Sequence, residues 1–110
     1  VAILRNLPTE EPKKLSSMLT PKQNQIVSMA LSDSEDFQLS VFTFADKETV
    51  SEEEYFGDTM YFVLDGETYI TLGEKSYLLK TGDVFKVNAH ILHAIGGKGE
   101  FKVMQLTVKE

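Results

Sequence analysis

From Gln25 onward the chain alternates short apolar runs with polar turn residues, and no helix-length apolar period separates them. Gln25 to Leu31, Phe37 to Ala45, Thr59 to Leu64, Thr68 to Leu72, Lys75 to Leu79, Val84 to Val87, His93 to Ile95 and Lys102 to Val108 read as strands. They are rich in Val, Ile, Phe, Tyr and Thr, which suit a pleated surface. Asp65-Gly66, Gly73-Glu74, Gly82-Asp83, Asn88-Ala89 and Gly96-Gly97-Lys98-Gly99 supply the turns between them. That rhythm predicts an all-β sandwich or barrel and argues against a parallel sheet with crossover helices.

Alternation within the strands sorts their faces. Thr59, Tyr61 and Val63 share one side; Met60, Phe62 and Leu64 share the other. Val103, Gln105 and Thr107 likewise oppose Met104, Leu106 and Val108. A strand apolar on both faces needs cover on both. The barrel interior covers one face, and a second copy of the chain is the expected cover for the other, so the pattern predicts a homodimer. The competing cover is the leading segment, folded back over the outer face of a monomer.

That leading segment, residues 1–24, reads differently. It holds all three prolines, Pro8, Pro12 and Pro21, and is expected to be irregular. Thr9-Glu10-Glu11-Pro12 could cap a short helix running to Ser17 or Leu19. The expected division is therefore an irregular segment, 1–24, and a barrel domain, 25–110.

Composition narrows the chemistry. The chain has 110 residues, which suits one domain, and no Cys, which excludes disulfides, thiolate metal sites and thiol catalysis. Seventeen Asp plus Glu against 11 Lys plus Arg give a formal charge of −6. Nucleic acid and anionic membranes are bound through clustered cations, so neither is an expected partner. No stretch has the length of a membrane span, and the run Val1 to Leu4 is too short for a secretory signal core. A cytoplasmic setting is the expectation. The phosphate-loop, dinucleotide, Gly-x-Ser-x-Gly and His-Glu-x-x-His patterns are all absent.

The segment Gly82-Asp83-Val84-Phe85-Lys86-Val87-Asn88-Ala89-His90-Ile91-Leu92-His93 resembles the second motif of the small single-domain cupins, the type-2 family with an RmlC-like jelly roll. Gly82 and His93 stand at the motif's spacing, with Asn88 in place of its usual Pro and His90 in place of its Gly. Tyr61 to Glu67 is similar to the end of the first motif, Gly66 being its closing Gly. Counting back, the motif's Glu falls on Thr59, and its His-any-His pair falls within Glu52-Glu53-Glu54-Tyr55. The resemblance implies a double-stranded β-helix, a jelly-roll barrel with an internal pocket and a degenerate metal motif. Family members often hold a divalent ion through two His, the Glu and a last His; of these only His93 is present.

Four residues are the candidates for a site. His93 would act as a metal ligand only with partners, and its plainer role is a pocket histidine that hydrogen-bonds a neighbour. Glu53 is the member of the acidic run best placed to face inward beside His93 and form an acid–base pair, whereas a solvated loop is the plainer reading of three consecutive Glu. Tyr61 is expected to point inward and offer its hydroxyl to a ligand or to the core. Thr59 lines the same strand. His90 is expected on the surface, and Phe37, Phe42, Phe44, Phe62, Phe85, Phe101, Met60 and Met104 in the core or an interface.

The leading expectation is a protein that holds a small polar molecule through His93, Glu53, Tyr61 and Thr59 and needs no metal. If an ion were present, His93 and Glu53 would hold it, as Mn, Mg, Fe, Ni or Zn. The alternative is a metal-dependent isomerase, lyase or oxygenase acting on a sugar-like or small acid substrate, with His93 and Glu53 as its catalytic candidates. A third possibility is a scaffold whose barrel is packed shut by Phe42, Phe44, Phe85 and Tyr61.

Overall fold

Among the described residues, eight antiparallel strands form one continuous curled sheet: β1 (Ile26–Asp33), β2 (Phe37–Phe44), β3 (Thr49–Glu53), β4 (Gly57–Leu72), β5 (Lys75–Lys80), β6 (Val84–Val87), β7 (His93–Gly96) and β8 (Phe101–Lys109). The computed structural model describes residues 3–109. Val1 and Ala2 of the leading apolar run, and Glu110 at the end of the expected barrel domain, lie outside the described residues.

The architecture is the all-β jelly roll expected from the sequence. Its central element corrects that reading, however. Thr59 to Leu64 and Thr68 to Leu72 are not two strands joined by a turn at Asp65-Gly66; they are halves of the 16-residue β4. The first half pairs with β8 and β6, the second with β5 and β7. A register shift between Val63 and Asp65 bends the strand at the corner between the two halves of the sheet. Gly66 sits at that bend with φ +80°, and a Cβ there would lie 2.5 Å from the Glu100 carbonyl oxygen. The Asp-Gly pair thus marks a bend with a close backbone approach, which a turn signal alone does not distinguish from a hairpin.

Strand β3 was not legible as a strand. Its residues Ser51-Glu52-Glu53 show no apolar face, and it gains its conformation by pairing with β7. The expected helix near Pro12 is also corrected: the segment holds only a 3-10 turn, Leu15–Ser17, with no side-chain cap. Glu10 there adopts φ +64°, which a helix forbids.

Registers place Phe44, Phe42 and Ser40 of β2 opposite Phe101, Val103 and Gln105 of β8, and the latter two opposite Val63 and Tyr61 of β4. This row is the barrel interior. Phe44, Tyr61, Val63, Ile70, Leu79, Val87, Ile95, Phe101 and Val103 form the buried core, with the Phe44 and Phe101 rings stacked at 4.4 Å. The alternate residues Met60, Phe62, Met104 and Leu106 face outward and are half-buried. The leading segment is tied to the barrel by backbone chemistry. The Arg5 N–H donates to Leu31 O at 2.9 Å, Asn6 Nδ2 to Ala30 O at 2.7 Å, and Lys102 Nζ to the carbonyls of Ser16 and Leu19. No helix among the described residues is long and apolar enough to cross a membrane.

Candidate functional site

Strand β7 begins at His93, which is 3% exposed and lies beside Tyr61 on β4. The Tyr61 hydroxyl and His93 Nε2 are 2.7 Å apart, and His93 Nδ1 lies 2.8 Å from the carbonyl oxygen of Ile91. A carbonyl only accepts, so Nδ1 carries a proton and donates to it. In the neutral ring Nε2 then offers its lone pair, and the Tyr61 hydroxyl is the donor. This is the hydrogen-bond pattern of the neutral imidazole. Burial pushes the Tyr61 phenol well above its ordinary pKa, and the nearby Tyr55 and the Glu53 carboxylate add to that effect, so the hydroxyl stays a donor.

The loop that delivers the Ile91 carbonyl is itself held. The Ala89 N–H donates to the Asp58 carboxylate at 2.9 Å, and the His90 N–H to Tyr55 O at 2.9 Å. The Ala89 bond, helped by Lys86, keeps the Asp58 carboxyl below its usual range. His90 occupies the left-handed region at φ +66°, where the family motif has Gly; its ring is exposed and packs edge-on against Phe56.

Tyr55 completes the cluster, its ring centroid 5.9 Å from that of His93. Two neighbouring spaces adjoin this group. An inner cavity of 60 Å³ is lined by Phe42, Phe44, Val50, Tyr55, Tyr61, Ile95, Val103 and Gln105. An outer one of 140 Å³ opens among Gln38, Ser40, Phe42, Tyr55, Gln105 and Thr107. They share Phe42, Tyr55 and Gln105. A larger groove of 450 Å³ lies outside the barrel between Lys22, Asp46, Lys47 and Glu100. It is open to solvent and touches none of the buried polar groups, so the barrel interior is the better candidate.

His93 and Tyr61 are brought into direct contact. Glu53 is the register partner of His93, but its side chain is exposed at the rim, as are those of Glu52 and Glu54. A register shift between Val50 and Glu53, with Glu52 at φ +54°, breaks the alternation that would have turned Glu53 inward. Thr59 is buried, yet its hydroxyl pairs with that of Thr107 at 2.9 Å and neither cavity is lined by it. Tyr55 and Gln105 line both cavities and lie outside the four residues expected to form the site. Gln105 could have been found as the polar interruption of the inward row Phe101, Val103, Gln105. Tyr55 could have been found from its place in the first-motif His-any-His window.

The donor set does not fit a metal ion. Where the family resemblance supplies two His and a Glu, this chain places an exposed Glu53, the phenol of Tyr55 and a Thr59 hydroxyl already paired. The Nε2 lone pair of His93 is occupied by Tyr61. Among the described residues no group of three or more His, Cys, Asp or Glu side chains is arranged to hold an ion.

Fold and motif together place the chain among the small jelly-roll barrel proteins. Residues 41–109 match the cupin domain family model, and the chain belongs to that family. A crystal structure of a cupin superfamily protein from Desulfitobacterium hafniense is similar at 50% identity, with TM-score 0.96 over 99% of this chain and 100% of that one. A conserved protein of unknown function from Streptococcus pyogenes matches at 23% identity and TM-score 0.95, over 100% of this chain and 96% of that one. A cupin 2 conserved barrel domain protein from Leptotrichia buccalis matches at 20% identity and TM-score 0.89, over 98% of this chain and 51% of that one. No curated protein matches the sequence.

Proposed function

We propose that this cupin binds a small polar molecule in its barrel and requires no metal to do so. The observation that carries the reading is the hydrogen-bonded chain Tyr61–His93–Ile91 beside the two cavities. It satisfies the one histidine that family members would use for an ion, while Gln105 and Tyr55 still border empty space. The ligand then meets polar groups at one end and the rings of Phe42 and Phe44 at the other, the usual make-up of a small-molecule site. The cavities are small, so the molecule is one of a few heavy atoms or inserts only its head. The barrel unit, residues 25–110, carries this function in a cytoplasmic homodimer joined through the half-buried outer row around Met104 and Leu106; sedimentation analysis reads the assembly directly.

Elemental analysis of protein purified without added metal tests the central claim. Less than about a tenth of an ion per chain, and a melting temperature unmoved by chelator, is the expected result. One tightly held ion per chain, with a chelator-sensitive transition, would overturn it.

A second reading is favoured by the direct Tyr61–His93 contact. A buried phenol donating to an imidazole can relay a proton to or from a bound substrate, with His93 as the ultimate base. On that reading His93→Ala lowers turnover of any substrate found by roughly a hundredfold or more. Turnover unchanged by that substitution removes His93 from the chemistry.

A further inference from the structure

The lining of the two cavities carries charge information of its own. Four aromatic residues, Phe42, Phe44, Tyr55 and Tyr61, border the inner space, and no Lys or Arg borders either space. Both ring nitrogens of His93 are already engaged, Nε2 with the Tyr61 hydroxyl and Nδ1 with the Ile91 carbonyl. A carboxylate or phosphate entering here would find no compensating cation, and its desolvation would go uncompensated. The charge near the inner lining is negative instead: Glu53 is paired with His93 across β3 and β7 in an exposed run of three carboxylates, and its charge is felt by the Tyr61 hydroxyl.

Aromatic walls around a small space, with a carboxylate acting on Tyr61 of that lining, select one chemical class. The negative faces of aromatic rings attract a positive charge, and they do so most strongly when the cation is poorly hydrated. Alkylated ammonium groups have that property; a bare ammonium is strongly hydrated and gains less. Gln105, shared by both spaces, offers an amide to a hydroxyl or carbonyl on the remainder of the ligand. We infer that the barrel binds a small alkylammonium compound that spans the inner and outer spaces, its methylated nitrogen against Phe42 and Tyr55, which line both, and its polar substituent at Gln105. The inference rests on the proposal that the barrel is a small-molecule site, and it names the ligand's charge and shape.

The test is a titration of the protein, followed by calorimetry and by NMR signals of His93 and Gln105, with matched probes. Choline and 3,3-dimethylbutan-1-ol have the same shape and differ in the charge of one central atom. Acetate and glycerol represent small anions and neutral polyols. The expected result is binding of choline at least tenfold tighter than its neutral isostere, with no binding of acetate. Glu53→Gln, an exposed and fold-neutral change, should weaken choline severalfold and leave the isostere unaffected. Tyr55→Leu should weaken choline about tenfold or more, whereas Tyr55→Phe retains it. Equal binding of the two isosteres, or tighter binding of acetate or glycerol, overturns the cation selection while leaving a small-molecule site intact. Absence of any response to choline overturns the inference outright, and the neutral and anionic probes then decide the broader proposal.

Discussion

Replacing Tyr61 by Phe isolates the most specific interaction in the barrel. The ring is retained, so packing against the core is nearly unchanged, and only the hydroxyl 2.7 Å from His93 Nε2 is lost. Both residues are buried, at 1% and 3% exposure, so water does not readily replace the missing donor. An acceptor left unsatisfied in such surroundings costs roughly 1–3 kcal/mol. A loss of about 2 kcal/mol would lower the melting temperature by about 8 °C in a domain of this size. In urea the midpoint should fall by about 1 M with the slope of the transition unchanged.

The same substitution has a signature in alkali. The folded protein holds the Tyr61 proton more tightly than the unfolded chain does, because burial opposes the phenolate. As pH rises past about 10 the unfolded chain releases this proton and the folded protein keeps it, so stability falls. Below that pH the contribution is fully present. One such proton gives a slope of up to about 1.4 kcal/mol per pH unit, and Tyr61→Phe should remove it. Urea titrations at pH 8, 10 and 11 compare the slopes. Wild type and variant agreeing within about 0.5 kcal/mol at neutral pH, with parallel losses in alkali, would refute the assigned bond. So would ¹⁵N shifts of His93 that place its proton on Nε2 rather than Nδ1.

Other changes follow from the same geometry. Thr59→Val should cost about 1 kcal/mol or more by leaving the Thr107 hydroxyl without its buried partner, whereas the Thr59→Val, Thr107→Val double variant should recover most of that loss; additive losses in a double-mutant cycle would argue that the two hydroxyls do not pair. Gly66→Ala puts a Cβ at a left-handed bend and 2.5 Å from a backbone oxygen, so denaturant titration should show at least about 2 kcal/mol of destabilisation. An unaffected Gly66→Ala protein would mean that the corner of β4 is softer than its close packing implies.

The fold was legible because its signals are periodic and local. Val, Ile and Phe at alternating positions in β2, β4 and β8 declare strands whatever their partners are, and Gly82 and His93 kept a motif's spacing. What failed to show was non-local. Asp65-Gly66 has the chemistry of a turn, and only the pairing of both halves of β4 with different strands converts it to a bend. Ser51-Glu52-Glu53 has no strand signal of its own, and β7 imposes one. The same register shift left Glu53 at the rim, which alternation along the sequence does not reveal. Tyr61 and His93 are 32 positions apart, so their shared hydrogen bond depends on the β4–β7 arrangement and on the loop that carries Ile91.

The departures from the family motif make physical sense as a set. A metal-binding barrel needs several donors pointed at one point in space, each with its proton removed or its lone pair free. Here the polar groups at the motif positions have instead been given neighbours: Thr59 meets Thr107, Tyr61 meets His93, and His93 meets the Ile91 carbonyl. Buried polar groups in low dielectric demand such partners, and a half-vacated ion site would be costly to fold. Replacing the Glu by Thr59 removes a buried charge; placing Tyr61 on His93 closes the remaining lone pair. Gln105, by contrast, lines both the inner and the outer space. On the proposed small-molecule reading, a ligand gains its affinity there and from the surrounding rings, without drawing on the His93 nitrogen unless it first displaces Tyr61.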